Sequence, residues 1–210
     1  MFTRSIIVKT ILTLCAASSA VFCLSKSELA PAAAAFAPGE NDYTVDAVHS
    51  SVNFRVKHMG VSYSYGRFNS ISGSLTFDEK APEKGSILIE VKAESIDTNS
   101  EGRDKHLKSP DFFNVKQFPT ITFKSTSVKK AGEKMYEVTG DFTLHGVTKP
   151  VTFKAEHVGS GKGRDGGRLC GFDALARIKR SDFDMKYSLS ALGDEVDLHI
   201  GIEAVQADKK

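Results

Sequence analysis

From Asp42 onward, apolar and polar residues alternate with a period of two, the pattern of strands that bury one face and wet the other. Val52, Phe54, Val56 and His58 share one face of the first run, while Asn53, Arg55 and Lys57 share the opposite face. The same alternation recurs around Leu75, Ile89, Phe123, Phe142, Phe153, Phe172 and Leu198. It predicts eight strands, at 50–58, 66–78, 86–96, 120–129, 135–145, 148–157, 168–179 and 194–206. Several reach ten residues, long for strands of a globular domain. Long antiparallel strands of this kind suit a closed sheet, which has no exposed edge. Eight of them enclose an interior that side chains just fill or that holds one ligand. The expected fold is therefore all-β, an eight-stranded antiparallel barrel with a short helical insert between strands 3 and 4.

Two irregularities refine this expectation. In the second strand Phe68 is even-numbered whereas Ile71 to Phe77 keep the odd phase, so a bulge or bend is expected at Asn69-Ser70. Between strands 3 and 4, the segment from Gly102 to Asn114 does not alternate. Asn99-Ser100 are candidates to cap a helix from Glu101 to about Lys108, and Pro110 stops it. Leu107, Phe112, Phe113 and Phe118 would then fold over one end of the barrel. Elsewhere, His145-Gly146 predicts a tight turn between strands 5 and 6. Gly159 to Gly167 predicts a flexible solvated loop, and no strand–loop–helix context supports a phosphate-binding role for it.

The first 35 residues have a different character. Arg4 and Lys9 precede an apolar run of about 14 residues, Ile11 to Leu24, and then Ala33 and Ala35 fit a small-x-small cleavage rule. An uncleaved anchor is the alternative, but the run is shorter than the roughly 20 residues a spanning helix needs. The expectation is an export signal over 1–35, a linker over 36–41 and a barrel domain over 42–207, located in the periplasm. Removing Arg4, Lys9, Lys26 and Glu28 from totals of 28 basic and 26 acidic residues leaves 25 of each. A neutral mature chain argues against nucleic acid as a partner. Of the three cysteines, Cys15 and Cys23 lie in the signal, so Cys170 has no internal disulfide partner and reads as a small buried hydrophobe.

Four stretches in order carry a resemblance. They are Tyr43-Thr44-Val45-Asp46 with His49-Ser50 through Met59-Gly60, then Gly66-Arg67-Phe68 with Gly73, then Ser95 to Thr98 with Arg103 to Ser109 and Asp111-Phe112-Phe113, and finally Gly140-Asp141-Phe142 through Pro150-Val151. On these the chain resembles the YceI-like family of exported polyisoprenoid-binding proteins over about residues 42–207. The resemblance implies a lipocalin-like barrel that holds an isoprenoid-tailed lipid, a polyprenyl or quinone-like molecule. It makes a homodimer a further expectation; transient membrane contact is a separate one.

The candidate ligand-binding residues follow from the inward faces and the insert. Phe54, Val56, Phe68, Phe77, Ile89 and Val91 come from the first three strands. Phe123, Phe142, Leu144, Phe153 and Phe172 come from the later ones, and Phe112 and Phe113 from the lid. The small inward residues Gly73, Ala93, Gly140, Ala155, Ala174 and Ala176 would leave room beside the rings. A solid core made of the same residues is the alternative.

Polar candidates gather at one mouth: His58, Arg103, Asp104 and His106. Arg103 either clasps the insert to the barrel rim or donates to a phosphate, hydroxyl or quinone oxygen, for which its fixed fork of donors suits it. The histidines show no metal-ligand spacing, and the serines sit in no strained nucleophile turn. No catalytic residue, no metal and no cofactor other than a bound lipid is expected. The protein reads as a binding or carrier protein and not an enzyme. The alternatives are an enzyme using His58, His106 or Asp104 on such a lipid, and a stress-response interaction protein with a filled core.

Overall fold

The computed structural model describes residues 39–207, so the segment expected to be an export signal lies outside the described residues. The chain forms an eight-stranded antiparallel barrel in which three strands are broken into pairs. β1 (Asp42–Val45) and β2 (Ser51–His58) lie end to end along β11 (Leu192–Gln206): Val45 pairs with Ala204, and Ser51 with Gly201. β3 (Ser62–Phe68) and β4 (Ile71–Thr76) form the next broken strand, and β5 (Ser86–Lys92) and β6 (Ile96–Asp97) the third. β7 (Thr120–Lys130), β8 (Met135–Leu144), β9 (Val147–Lys162) and β10 (Arg168–Lys179) complete the wall. Each pairs with its sequence neighbour, and β1 closes the ring against β11, with Tyr43 opposite Gln206.

The expected bend at Asn69-Ser70 is present. Both residues leave the β3–β4 strand and bond to Ser95, Asn69 N–H donating to its carbonyl at 3.0 Å and Ser70 N–H to its hydroxyl at 3.0 Å. Two unpaired residues change the phase, which returns both Phe68 and Ile71 to the inside. The short β1 falls outside the expected strand range. It is only four residues long, and Asp46 turns the chain away by accepting the backbone N–H groups of Val48 and His49.

One further expectation about the strands needs correction. The glycine-rich stretch is not a loop throughout: β9 runs on to Lys162, with Gly161 opposite Leu169 and only 163–167 turning. The partner strand continues, so the backbone keeps pairing even where glycines offer little side-chain contact. The irregularity sits at Val158, skipped between the Gly171–Gly159 and Phe172–His157 pairs. At the other end of β9, His145 and Gly146 both take positive φ (52° and 76°), the backbone of a type I′ hairpin turn.

The insert forms α1 (Glu101–Leu107) without a side-chain cap from Ser100. Asp104 reaches back instead, and its Oδ1 accepts the Thr98 N–H at 3.0 Å and the Thr98 hydroxyl at 2.5 Å. The helix ends before Pro110, as expected from the missing donor.

Apolar side chains form two buried clusters along the barrel. One, at the α1 end, gathers Phe68, Ile71, Ile96, Phe112, Phe183 and Met185. The other gathers Tyr43, Leu75, Phe77, Phe123, Tyr136 and Cys170. Phe77 touches the rings of Tyr136 and Phe172 edge-on at 5.4 and 4.8 Å.

Cys170 is buried within this second cluster, and burial pushes its thiol from 9.0 up to about 12. A chain starting after residue 35 should therefore resist iodoacetamide at mildly alkaline pH when folded and react readily in urea. The raised folded pKa also favours the protonated fold. That contribution is complete below the unfolded pKa of 9.0 and is lost as pH climbs toward 12. Rapid labelling of the native protein would contradict this placement.

Candidate ligand-binding cavity

The inward faces of the strands do not meet. Phe142, Phe153, Phe172, Leu198, Ile200 and Ile202 all point into the barrel, yet each is only partly buried. Between them runs a cavity of about 220 Å³ that touches both hydrophobic clusters. One end is bounded by Leu107, Phe112, Phe113 and Met185, the other by Gly85, Ile87, Val128 and Tyr136. Aliphatic and aromatic side chains make almost the whole lining. Polar side chains enter it at Thr76, Thr122, Tyr136 and Arg180. Such a surface offers apolar burial at every point and very few hydrogen bonds, so it discriminates by shape and hydrophobicity.

The apolar candidates all reach this lining: Phe54, Val56, Phe68, Phe77, Ile89, Val91, Phe112, Phe113, Phe123, Phe142, Leu144, Phe153 and Phe172. Alternation fixed the direction of the strand residues, the insert brought in Phe112 and Phe113, and the closed ring turned the shared face into a shared cavity. Of the small inward residues, Ala155, Ala174 and Ala176 line it. Gly73 and Gly140 do not. A Cβ on Gly140 would stand 2.5 Å from the Phe123 ring, and one on Gly73 would run into the Leu88 carbonyl. These glycines admit a neighbouring strand's atoms and do not open space for a ligand. Ala93, 1% exposed, is packed in the core at the β5–β6 break.

The polar candidates are outside the lining. His58 ends β2 at the barrel rim, paired with Leu192 and Ser62, and is exposed to solvent. Arg103 is committed to Thr98, with Nε donating to the hydroxyl at 2.7 Å and an outer nitrogen to the carbonyl at 2.6 Å. With Asp104 accepting from the same Thr98, the Arg103–Asp104 pair is a clasp that ties α1 to the end of β6. His106 Nε2 meets Asp111 at 2.8 Å on the surface, and its ring packs on Phe112. Phe118, expected over the barrel end, packs instead on His145 at 4.7 Å, against the β8–β9 turn.

Arg180 was missed. It is 5% exposed and donates to four carbonyls, those of Met185, Tyr187, Leu192 and Gly193, at 2.8–3.0 Å. Burial lowers its pKa from the ordinary arginine value. The signal lay in its phase: Arg180 continues the even-numbered inward series Phe172, Ala174, Ala176 and Ile178. Phe183 and Met185 were hidden in a stretch that reads as solvated because Asp182 and Asp184 flank the phenylalanine. Those aspartates do remain exposed, while Phe183 is 2% exposed and its ring meets Phe142 at 5.4 Å.

Among the described residues, Asp46, His49 and Glu203 form a group with donor atoms close enough to share a cation. They sit at the β1–β2 corner and none lines the cavity. His49 Nδ1 lies 2.8 Å from Asp46, and this hydrogen bond holds the Asp46 carboxyl below its ordinary value.

A closed eight-stranded antiparallel barrel around an apolar interior places the protein among the lipocalin-like barrels. Residues 43–204 match the family model described as a YceI-like domain, and the chain belongs to that family. Protein YceI of Escherichia coli O157:H7 is 47% identical over 167 residues, 79% of this chain and 87% of that protein. The crystal structure of BcnA from Burkholderia cenocepacia is similar with a TM-score of 0.70 at 28% identity, covering 76% of this chain and 98% of that one. A Saccharophagus degradans domain described as polyisoprenoid-binding shares the fold with a TM-score of 0.61 at 14% identity, over 79% of this chain and 98% of its own.

The clasp gives a direct test. Asp104→Ala leaves the nearly buried Thr98 without its acceptor and should cost about 1–3 kcal/mol in urea unfolding. Amide exchange should quicken across 98–108. Unchanged exchange there would show that other contacts hold the helix.

Proposed function

We propose that this protein is an exported, non-enzymatic binding protein that sequesters an isoprenoid-tailed lipid in its barrel. One observation carries the reading: an apolar cavity borders both hydrophobic clusters, with partly buried rings and branched side chains around it. Burying each methylene of a tail contributes about 0.8 kcal/mol before ordering costs, so a long tail can be retained with few polar contacts. The family membership and the polyisoprenoid-binding description of the Saccharophagus domain support an isoprenoid over other apolar cargo. A quinone or a polyprenyl precursor both meet these requirements.

A carrier is favoured over an enzyme because the acid–base candidates His58, His106 and Asp104 stand outside the lining, where they do not face a tail held inside. Export to the periplasm rests on the basic start, apolar run and small-residue site of the first 35 residues.

Ala176 lines the cavity with a small side chain, so filling it tests the reading without burying a charge. Farnesol titrated against the delipidated protein should bind, and Ala176→Phe should weaken binding about tenfold or more, or ~1.4 kcal/mol. The thermal midpoint should hold or rise, because the ring fills empty space. Equal affinity in the two proteins would place the ligand elsewhere.

A further inference from the structure

We infer that the α1 end of the barrel is a docking surface for an anionic lipid bilayer. Two projecting segments meet there. The β2–β3 turn carries Met59 and Val61, which are 61% and 84% exposed. The loop before β11 carries Tyr187 and Leu189, 45% and 42% exposed. The Met59 N–H donates to the Ala191 carbonyl at 2.7 Å, which fastens the two segments together. Single exposed apolar residues elsewhere on the wall, such as Leu175, are ordinary. Four on two joined loops at one end form a patch, and such patches mark contact sites.

The chemistry around the patch selects the partner. Residues 57–65 and 185–191 contain Lys57, His58 and Lys186 and no acidic residue. Asp184 pairs with Lys186 at 2.9 Å; on the same end the last turn of α1 and its C-cap carry Lys105, His106 and Lys108, while its acidic Glu101 and Asp104 lie in the first turn. Tyr63 and Tyr65 stand outward on β3 behind the tip, 46% and 63% exposed. A short apolar tip, then tyrosines, with basic and hydroxyl side chains around them, matches the depth profile of a membrane interface.

The patch is also continuous with the cavity. Met185 and Leu192, at the ends of the projecting loop, both line it, as does Val56 three residues before the tip. The Tyr187 ring lies 5.1 Å from that of Phe112, a lid residue on the lining. Docking by this end puts a bilayer against the residues that close the cavity.

The surface goes beyond the cavity reading, and the two fail separately. The chain contains no tryptophan, so Val61→Trp supplies a lone reporter at the tip. With phosphatidylcholine vesicles containing phosphatidylglycerol, its emission should shift to the blue, less so with phosphatidylcholine alone or at high salt. Adding Met59→Ser and Leu189→Ser should weaken vesicle binding about tenfold, the loss expected from removing partly buried apolar side chains. Farnesol affinity should stay unchanged, because neither residue lines the cavity. Emission unaffected by vesicles would overturn the proposal. So would a shift that needs no vesicles and grows with protein concentration, which would assign the tip to a second copy of the chain. Loss of farnesol binding with the vesicle response intact would count against the cavity reading alone.

Discussion

The pairing of β1 and β2 with β11 closes the ring of backbone hydrogen bonds, and the hollow interior depends on that closure. In an open sheet each edge would carry unpaired N–H and C=O groups, and the inner face would have to pack against another layer to leave water. Closure satisfies both demands within one sheet. Wall stability then comes from strand pairing and from contacts between inward neighbours such as Phe123 with Phe153, 5.2 Å between ring centroids. The middle of the barrel can remain open without leaving any strand unpaired. The breaks at Asp46–Ser50, Asn69-Ser70 and Ala93–Ser95 let three strands bend around the circumference while their inward phase is kept.

The polar chemistry of the chain mostly builds the walls and ends of this container. Arg180 gathers two carbonyls of the loop between β10 and β11 and two from the start of β11, which would otherwise turn unsatisfied acceptors toward an apolar interior. The guanidinium keeps its charge under such burial because its deprotonation is out of reach in proteins. Arg103 and Asp104 converge on Thr98 for a parallel purpose, holding α1 so that Leu107, Phe112 and Phe113 cap the cavity. On the outer wall, Asp197 lies between Arg177 and Arg55 at 2.6 and 2.9 Å, linking β10, β11 and β2. Polar side chains thus fix where the apolar ones stand.

What could be read from the sequence divides along the same line. Alternation needs only the two-residue repeat of a strand, so the eight strands, the bend beside Phe68 and the apolar lining were legible. At the rim the same rule lost its meaning: His58, the last residue of β2, has the inward phase but is exposed to solvent. The clasp was one of two readings open for Arg103, and local context did not decide between them, while Arg180 carried only the signal of its inward phase. Both lie in charged stretches, and the burial of Arg180 depends on carbonyls brought together only by the fold. Gly140 misled for a related reason: absence of a side chain reads as space, but the Phe123 ring of the next strand fills it. β1 was lost to its brevity, since four residues give alternation too little length to register.

The central claim is that the interior holds an isoprenoid lipid in the native protein. The most direct measurement is mass spectrometry of the mature protein purified from its own host without detergent, comparing the intact complex with a solvent extract. One isoprenoid-tailed molecule per barrel is expected, present in the extract and absent from the stripped chain. A complex mass equal to the polypeptide alone, with no lipid in the extract, would contradict it.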